Sequence, residues 1–387
     1  MSPAGYIVGA FEHPLRKTPD RSVAELHAEM MLGALADAGL TKGDIDGYFC
    51  AGDAPGLGPL SMLDYLNLKV RHTDSTDLGG CSYVAHVARA ADAIAAGHCS
   101  VALITLAGRP RSDGQSTGTT PRVHNSLQPD ADWEVPFGLT LAGGYAMCAR
   151  LHMHRYGTTS EQLAWIKVAA SHHASFNPNA MLPKRVTVDD VLVSPMVADP
   201  LHKLDCCVIS DGGGALIVAR PEIARQLNRP LVGVRAGAHT VKHQSGGEFD
   251  LTRTGAVESG AVAFARAGLT PADIKYASLY DSFTITVLLQ LEDLGFCAKG
   301  EGGRFVEDGQ LISGRGRLAV NTDGGGLCNN HPANRGGMTK VIEAVRQLRG
   351  EAHADVQVPD CGLALVNGIG GNIATRHGSA TLILERE

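Results

Sequence analysis

Aromatic residues are scarce in this chain, at 5% of 387 residues. No apolar run approaches the ~20 residues that span a bilayer, so a membrane protein is not expected. Residues 1–10 lack the basic start and apolar stretch of a secretory signal. There is no Lys/Arg run, and the net charge is −6, which argues against a nucleic-acid surface. Nine cysteines occur without a C-x-x-C pair. They are expected as reduced thiols in the cytoplasm, not as a zinc site or a disulfide framework. A complete G-x-x-x-x-G-K-[ST] loop and a dinucleotide fingerprint are also missing, which counts against nucleotide hydrolysis and nicotinamide or flavin chemistry.

Glycine, in contrast, is plentiful: 47 residues against a usual share of about 7%. Hydrophobic residues make up 44%, enough for a sizeable core. Few aromatics and many glycines suit tight strand–helix junctions and close backbone packing, as α/β enzymes have.

The chain repeats itself. Residues 38–45 read Ala-Gly-Leu-Thr-Lys-Gly-Asp-Ile and residues 267–274 read Ala-Gly-Leu-Thr-Pro-Ala-Asp-Ile. Each copy follows an Ala-rich helical stretch and precedes a short strand-like run. The Gly after each helix fits a left-handed C-terminal cap. Residues 100–106 and 362–366 both read as buried strands, and residues 212–220 resemble residues 378–386. Two halves of one order follow, residues 1–225 and 226–387. Residues 109–205 lengthen the first half. They are too long for a bare loop and are expected as a cap built on that half, with helices over 141–156 and 160–175.

Two helix starts carry reactive side chains. Gly79-Gly80-Cys81 leads into an amphipathic pattern over 82–96, which places Cys81 at the positive end of a helix. Exposed backbone N–H groups there lower a thiol's pKa and favour the thiolate. Most cysteines, however, are small buried fillers. In the second half, residues 322–337 lead from a strand into a helix over 338–348, with His331 just before it. A Cys and a His at equivalent ends of duplicated halves would face each other, as a thiol nucleophile and its partner must. Tyr280-Asp281-Ser282-Phe283 ends a strand on the same face. The Gly-rich turn at 367–371, with Asn367 and Gly370, offers bare N–H groups to an oxyanion.

Together, Gly-Gly-Cys81, the His331-Pro332 pair, the late Gly-rich turn and the stretch from Ser194 through Asp211-Gly212 resemble the thiolase superfamily over nearly the whole chain. The branch they are most similar to is that of the sterol-carrier-protein-type thiolases. The resemblance implies an α/β, five-layer αβαβα fold from two βαβαβαββ halves, usually dimeric. It implies action on coenzyme A thioesters in lipid metabolism, with coenzyme A as substrate or product and no permanently bound cofactor or metal. Carried over, Cys81 would accept the acyl group and His331 would activate it. The amides of Cys81 and the Gly370 turn would form an oxyanion site, and loops within 109–205 would bind coenzyme A. A separate small zinc-ribbon and OB-fold partner protein is a further implication.

The chain departs from the family in two places. The second, proton-transferring cysteine is absent both from the Gly-rich turn, where Asn367 stands, and from the His-Asp-Cys-Phe motif, which here reads Tyr280-Asp281-Ser282-Phe283. Tyr280, Ser282, Cys328 or a water would have to replace it. A similar Tyr-Asp-x-Phe occurs in thiolase-like steroid side-chain aldolases, although those carry a tyrosine near the place of His331. The first expectation is therefore an acyl-CoA C-acyltransferase working through acyl-Cys81. The alternatives are a retro-aldolase on a hydroxyacyl-CoA using Tyr280, and a non-catalytic acyl-CoA-binding subunit. The loop composition, with Trp133, Phe137 and Met147, allows aliphatic, aromatic or steroid acyl groups.

Overall fold

The structure is a computed structural model. It describes residues 3–52, 54–116, 118, 131–243, 249–332 and 336–387, without the side chains of residues 131 and 133. Ten strands form one sheet. The first five are β1 (Tyr6–Glu12), β2 (Gly47–Cys50), β3 (His72–Ser75), β4 (Val101–Gly108) and β5 (Gly212–Ala219). The other five are β6 (Val232–Lys242), β7 (Tyr276–Leu279), β8 (Ala319–Val320), β9 (Leu363–Gly371) and β10 (His377–Arg386). The order across the sheet is β3-β2-β4-β5-β1-β6-β10-β9-β7-β8. Read outward from the middle, both sets run first, fifth, fourth, second, third. Their directions match as well: β2 is parallel to β3 and β4, and β7 is parallel to β8 and β9. The two sets meet antiparallel through Tyr6 opposite Gly233 and Ile7 opposite Val232.

The helices that matter here are α1 (Val23–Ala38), α2 (Ser82–Ala95), α3 (Leu141–Tyr156), α4 (Ser160–Ala174), α5 (Ala256–Ala267), α6 (Thr284–Asp293) and α7 (Gly337–Arg349). Every residue of β4 and β5 is buried. Their apolar runs therefore do not alternate, as expected of strands covered on both faces. The middle layer is α2 and α7. Val84 and Val87 of α2 and Val341 and Val345 of α7 share one core with Ile104 and Leu216 of the first strand set and Val366 and Leu382 of the second. Helix α1 covers the outer face of the first set, with Leu26 and Met30 near Tyr48 and Leu103. Helices α5 and α6 cover the outer face of the second, with Phe264 and Leu288 near Leu279 and Leu365. The result is helix, first strand set, helix, second strand set, helix.

The sequence repeat is a capping device used twice. Gly39 and Gly268 end α1 and α5 with φ of 68° and 69°, a conformation that costs a residue with a Cβ more than it costs glycine. Asp44 then accepts from the main-chain N–H and hydroxyl of Thr41, and Asp273 does the same for Thr270.

Within residues 109–205, helices α3 and α4 pack on the second set, whereas Arg109 and Ser112 bond to Arg21 and Asp211 of the first half. Tyr145 of α3 and Leu163 and Ile166 of α4 join Leu288, Leu291 and Val306 in the outer core of the second set. The rings of Tyr145 and Phe283 lie 4.4 Å apart. Helix α6 is buried from Thr284 to Glu292, and the excursion from the first half covers its outer side. No helix among the described residues is long and apolar enough to cross a membrane.

Candidate active site

A cavity of about 510 Å³ opens where the two strand sets meet the excursion. Gly79 and Gly80 form one wall, Leu141, Tyr145 and Cys207 another, and Tyr280, Ser282, His331 and Ile369 the floor. The short strand β7 ends at Leu279, and the chain then turns into α6. Tyr280 sits at that turn, its N–H donating to the Asn367 carbonyl at 2.9 Å. Its own carbonyl accepts from Gln290 Nε2 at 2.6 Å. The phenol ring lies against bare backbone: a Cβ on Gly80 would stand 2.4 Å from Tyr280 Cζ and 2.3 Å from the Ile369 oxygen. This is one place where only glycine fits.

Tyr280 Oη lies 2.8 Å from His331 Nε2. His331 is anchored from behind, its main-chain N–H donating to Ser210 Oγ at 3.0 Å. Burial holds the His331 pKa down to about 4, with Lys340 adding to the effect and Asp281 opposing it. The ring is therefore neutral at pH 7, and Nε2 can accept a proton when Nδ1 carries the hydrogen. The Tyr280 pKa is raised well above 10, first by burial and then by Tyr145, Cys207 and Asp281. Next to Tyr280, Asp281 accepts from the amides of Gly326 and Leu327 at 2.8 and 3.1 Å. It thereby fixes the turn that carries His331.

The residues singled out in the sequence divide into two groups. Tyr280, His331 and Ser282 come together in the cavity, with Ser282 Oγ 3.1 Å from Thr286 Oγ1. Cys81 does not join them. It is fully buried and absent from the cavity wall, and its Sγ donates to the Leu78 carbonyl at 3.2 Å. Gly368 and Gly378 of the second strand set pack on it so closely that a Cβ on Gly378 would stand 2.8 Å from the sulfur. The backbone N–H at the helix start lowers the thiol pKa, as expected, but burial outweighs it and pushes Cys81 up to about 12. The hydrogen bonds described for His331 lead to Tyr280 and Ser210, not to Cys81.

Asn367 is also outside the cavity wall. Its Nδ2 donates to the Ala380 carbonyl and to Thr381 Oγ1. Gly370 is not in a free turn, because β9 continues through it, paired with Gly378. Glycine at 370 lets that strand pass under the Leu78 carbonyl, where a Cβ would leave no room. Cys328 is buried and off the wall. Of the apolar loop residues, Phe137 is 83% exposed and Met147 51% exposed. The Trp133 side chain lies outside the described residues. Leu141 and Tyr145 line the cavity instead.

Sequence reasoning missed Tyr145 and Cys207. Tyr145 was visible only as one position on a helix. Cys207 stood within the Asp205-Cys206-Cys207 stretch, which carried the family resemblance but no assigned role. Among the described residues no group of three or more His, Cys, Asp or Glu side chains could hold a metal ion. The chemistry available at the floor is proton transfer to and from a hydroxyl by a phenol–imidazole pair.

Residues 237–386 match the family described as Thiolase C-terminal domain-like. The chain is 36% identical over 380 residues to an acetyl-CoA acetyltransferase of Methanothermobacter thermautotrophicus, covering 95% of this chain and 97% of that one. It is 38% identical to a steroid side-chain-cleaving aldolase of Thermomonospora curvata, over 90% of each. Among solved structures, the Ltp2-ChsH2(DUF35) aldolase superposes with a TM-score of 0.89 at 34% identity, covering 100% of this chain and 99% of that one.

Proposed function

The chain belongs to the thiolase superfamily, in its sterol-carrier-protein-type thiolase-like branch, and from that premise we propose that it cleaves a 3-hydroxyacyl-CoA by a retro-aldol reaction without an acyl-enzyme. One observation carries this reading: Tyr280 Oη sits 2.8 Å from a neutral His331 Nε2 on the cavity floor, while the Cys81 sulfur is sealed away from it. The substrate's 3-hydroxyl gives its proton to Tyr280 as the phenol proton passes to His331 Nε2. The Cα–Cβ bond breaks, a carbonyl compound departs, and the electron pair moves onto the thioester as an enolate. A general base already in hydrogen-bond reach is worth roughly 10²–10⁴ in rate.

A second reading is acyl transfer through Cys81, the reaction class of the acetyltransferase relative. In its favour, Gly79 and Gly80 form the cavity wall one residue short of Cys81. The test is one assay with two variants. Purified protein is given 3-hydroxyacyl-CoA esters, its carbonyl and acyl-CoA products are followed, and the protein is weighed intact. The retro-aldol reading expects Tyr280→Phe to lose cleavage, Cys81→Ala to keep it, and no acyl mass to appear. An acyl adduct that disappears in Cys81→Ala together with all turnover would establish the second reading instead.

Two further features belong to the proposal. The related aldolase is named with two components, which supports a separate small DUF35-type partner here. Strand β3 is an edge strand of the sheet, and an edge with unpaired backbone groups suits a homodimer contact. Size measurement of the chain alone and with a candidate partner tests both.

A further inference from the structure

Retro-aldol cleavage leaves an enolate, and its α-carbon must take up a proton before acyl-CoA can leave. Tyr280 and His331 are occupied at the hydroxyl end of the bond. The donor therefore has to come from another wall of the cavity.

We propose that Cys207 is the acid that protonates this α-carbon. The inference rests on the retro-aldol reading, although acyl transfer through Cys81 would need the same proton step in one direction. Cys207 is the one cysteine on the cavity wall among the described residues. It is partly exposed, whereas Cys81 and Cys328 are fully buried. Its place is fixed by the main chain. The Cys207 N–H donates to the Ser282 carbonyl at 2.9 Å, and Cys206 bridges Phe283 antiparallel. The residue thus lies directly beside the segment that carries Tyr280. Tyr280 and Tyr145 line the same cavity.

The two wall hydroxyls nearest the segment beside Cys207 are engaged. Ser282 Oγ is paired with Thr286 Oγ1, and the Tyr145 hydroxyl donates to the Gly371 carbonyl at 3.3 Å. Burial, Cys206 and Asp281 all raise the Cys207 pKa, so the thiol keeps its proton until a stronger base arrives. An enolate carbon is such a base. In the step, the S–H bond breaks, a C–H bond forms at the α-carbon, and the pair from S–H stays on sulfur. The thiolate then regains the proton that Tyr280 passed to His331, relayed through solvent, and no net proton is consumed.

The test reads this step apart from C–C cleavage. The protein is incubated in D₂O with the product acyl-CoA, and deuterium entering the α-position is followed by mass spectrometry. In parallel, 2-bromoacetyl-CoA, which carries an electrophilic carbon at that position, is used to alkylate the native protein. Wild type is expected to exchange the α-protons and to be alkylated at Cys207. Cys207→Ala is expected to exchange about 100-fold more slowly or worse. Cys207→Ser, which keeps the volume and the main-chain bond to Ser282, should show the same loss with an unchanged melting temperature. Exchange at the wild-type rate in both variants, or alkylation confined to another residue, would overturn the proposal. If wild type exchanges in a Cys207-dependent way but releases no carbonyl product from any 3-hydroxyacyl-CoA, the role of Cys207 stands and the retro-aldol reading falls.

Discussion

Lys340 Nζ lies 2.6 Å from Asp281 Oδ1, and both side chains are sealed from solvent. Asp281 also accepts from the amides of Gly326 and Leu327, so the pair ties helix α7 to the turn that ends at His331. Removing one partner leaves a buried charge without compensation, which typically costs about 3–5 kcal/mol. Lys340→Met is expected to lose stability on that scale in urea unfolding. Adding Asp281→Asn to it should restore part of the loss, because the uncompensated charge is then gone.

Gly80→Ala would place a methyl group against the Ile369 carbonyl and the Tyr280 ring. The carbonyl belongs to a strand, so the ring is what moves. A displacement of about 1 Å costs roughly 100-fold in rate, and overpacking costs about 1–3 kcal/mol. Steady-state cleavage of a 3-hydroxyacyl-CoA and a thermal melt should both report the change. A Gly80→Ala protein with wild-type kcat would show that the phenol position is not critical.

Stability should fall with pH below about 6.5. His27, His86 and His331 are held near a pKa of about 4, and His173 and His377 near about 3, in each case chiefly by burial. Unfolded histidine titrates near 6.5. Between those values the unfolded chain binds protons that the native one does not, so stability is fully present above about 6.5 and is lost as pH falls towards 4. Glu343, Asp205 and Asp293, each raised chiefly by burial, pull the other way but are three groups against five. Urea midpoints at pH 7, 6 and 5 should decline in that order. A flat profile would mean that these rings are not kept neutral.

In native protein at pH 7, iodoacetamide should leave Cys81 unmodified. Its sulfur is sealed from solvent and from the cavity by the strands that carry Gly368 and Gly378, so the reagent does not reach it. Peptide mapping after brief alkylation checks this. Rapid labelling of Cys81 would instead indicate the open, ionised sulfur that acyl transfer requires.

Much of the fold could be read in the sequence because it is built by local rules used twice. The Ala-Gly-Leu-Thr repeat announced two capped helices feeding equivalent strands, and the structure has Gly39 and Gly268 in left-handed caps. The glycines and apolar spacing around α2 and α7 placed both helix starts within a residue or two. What could not be read depends on contacts between segments far apart in the chain. The burial of Cys81 is imposed by Gly368 and Gly378, which lie in strands of the other set. The docking of α3 and α4 on the second set covers the outer side of α6. Cys207 reaches the cavity only through its antiparallel contact with Ser282 and Phe283. None of these pairings leaves a local signature.

The seam between β1 and β6 joins two strand sets of one order inside a single polypeptide. Had the sets been separate, identical chains around a true twofold axis, any residue placed at one helix start would have appeared at the other. Covalent fusion removes that obligation. The lobe that contributes Gly79 and Gly80 can stay small and bare beside the substrate, while its twin carries the phenol and the imidazole. Asymmetric chemistry here is a consequence of the two copies being inherited as one chain and therefore free to diverge.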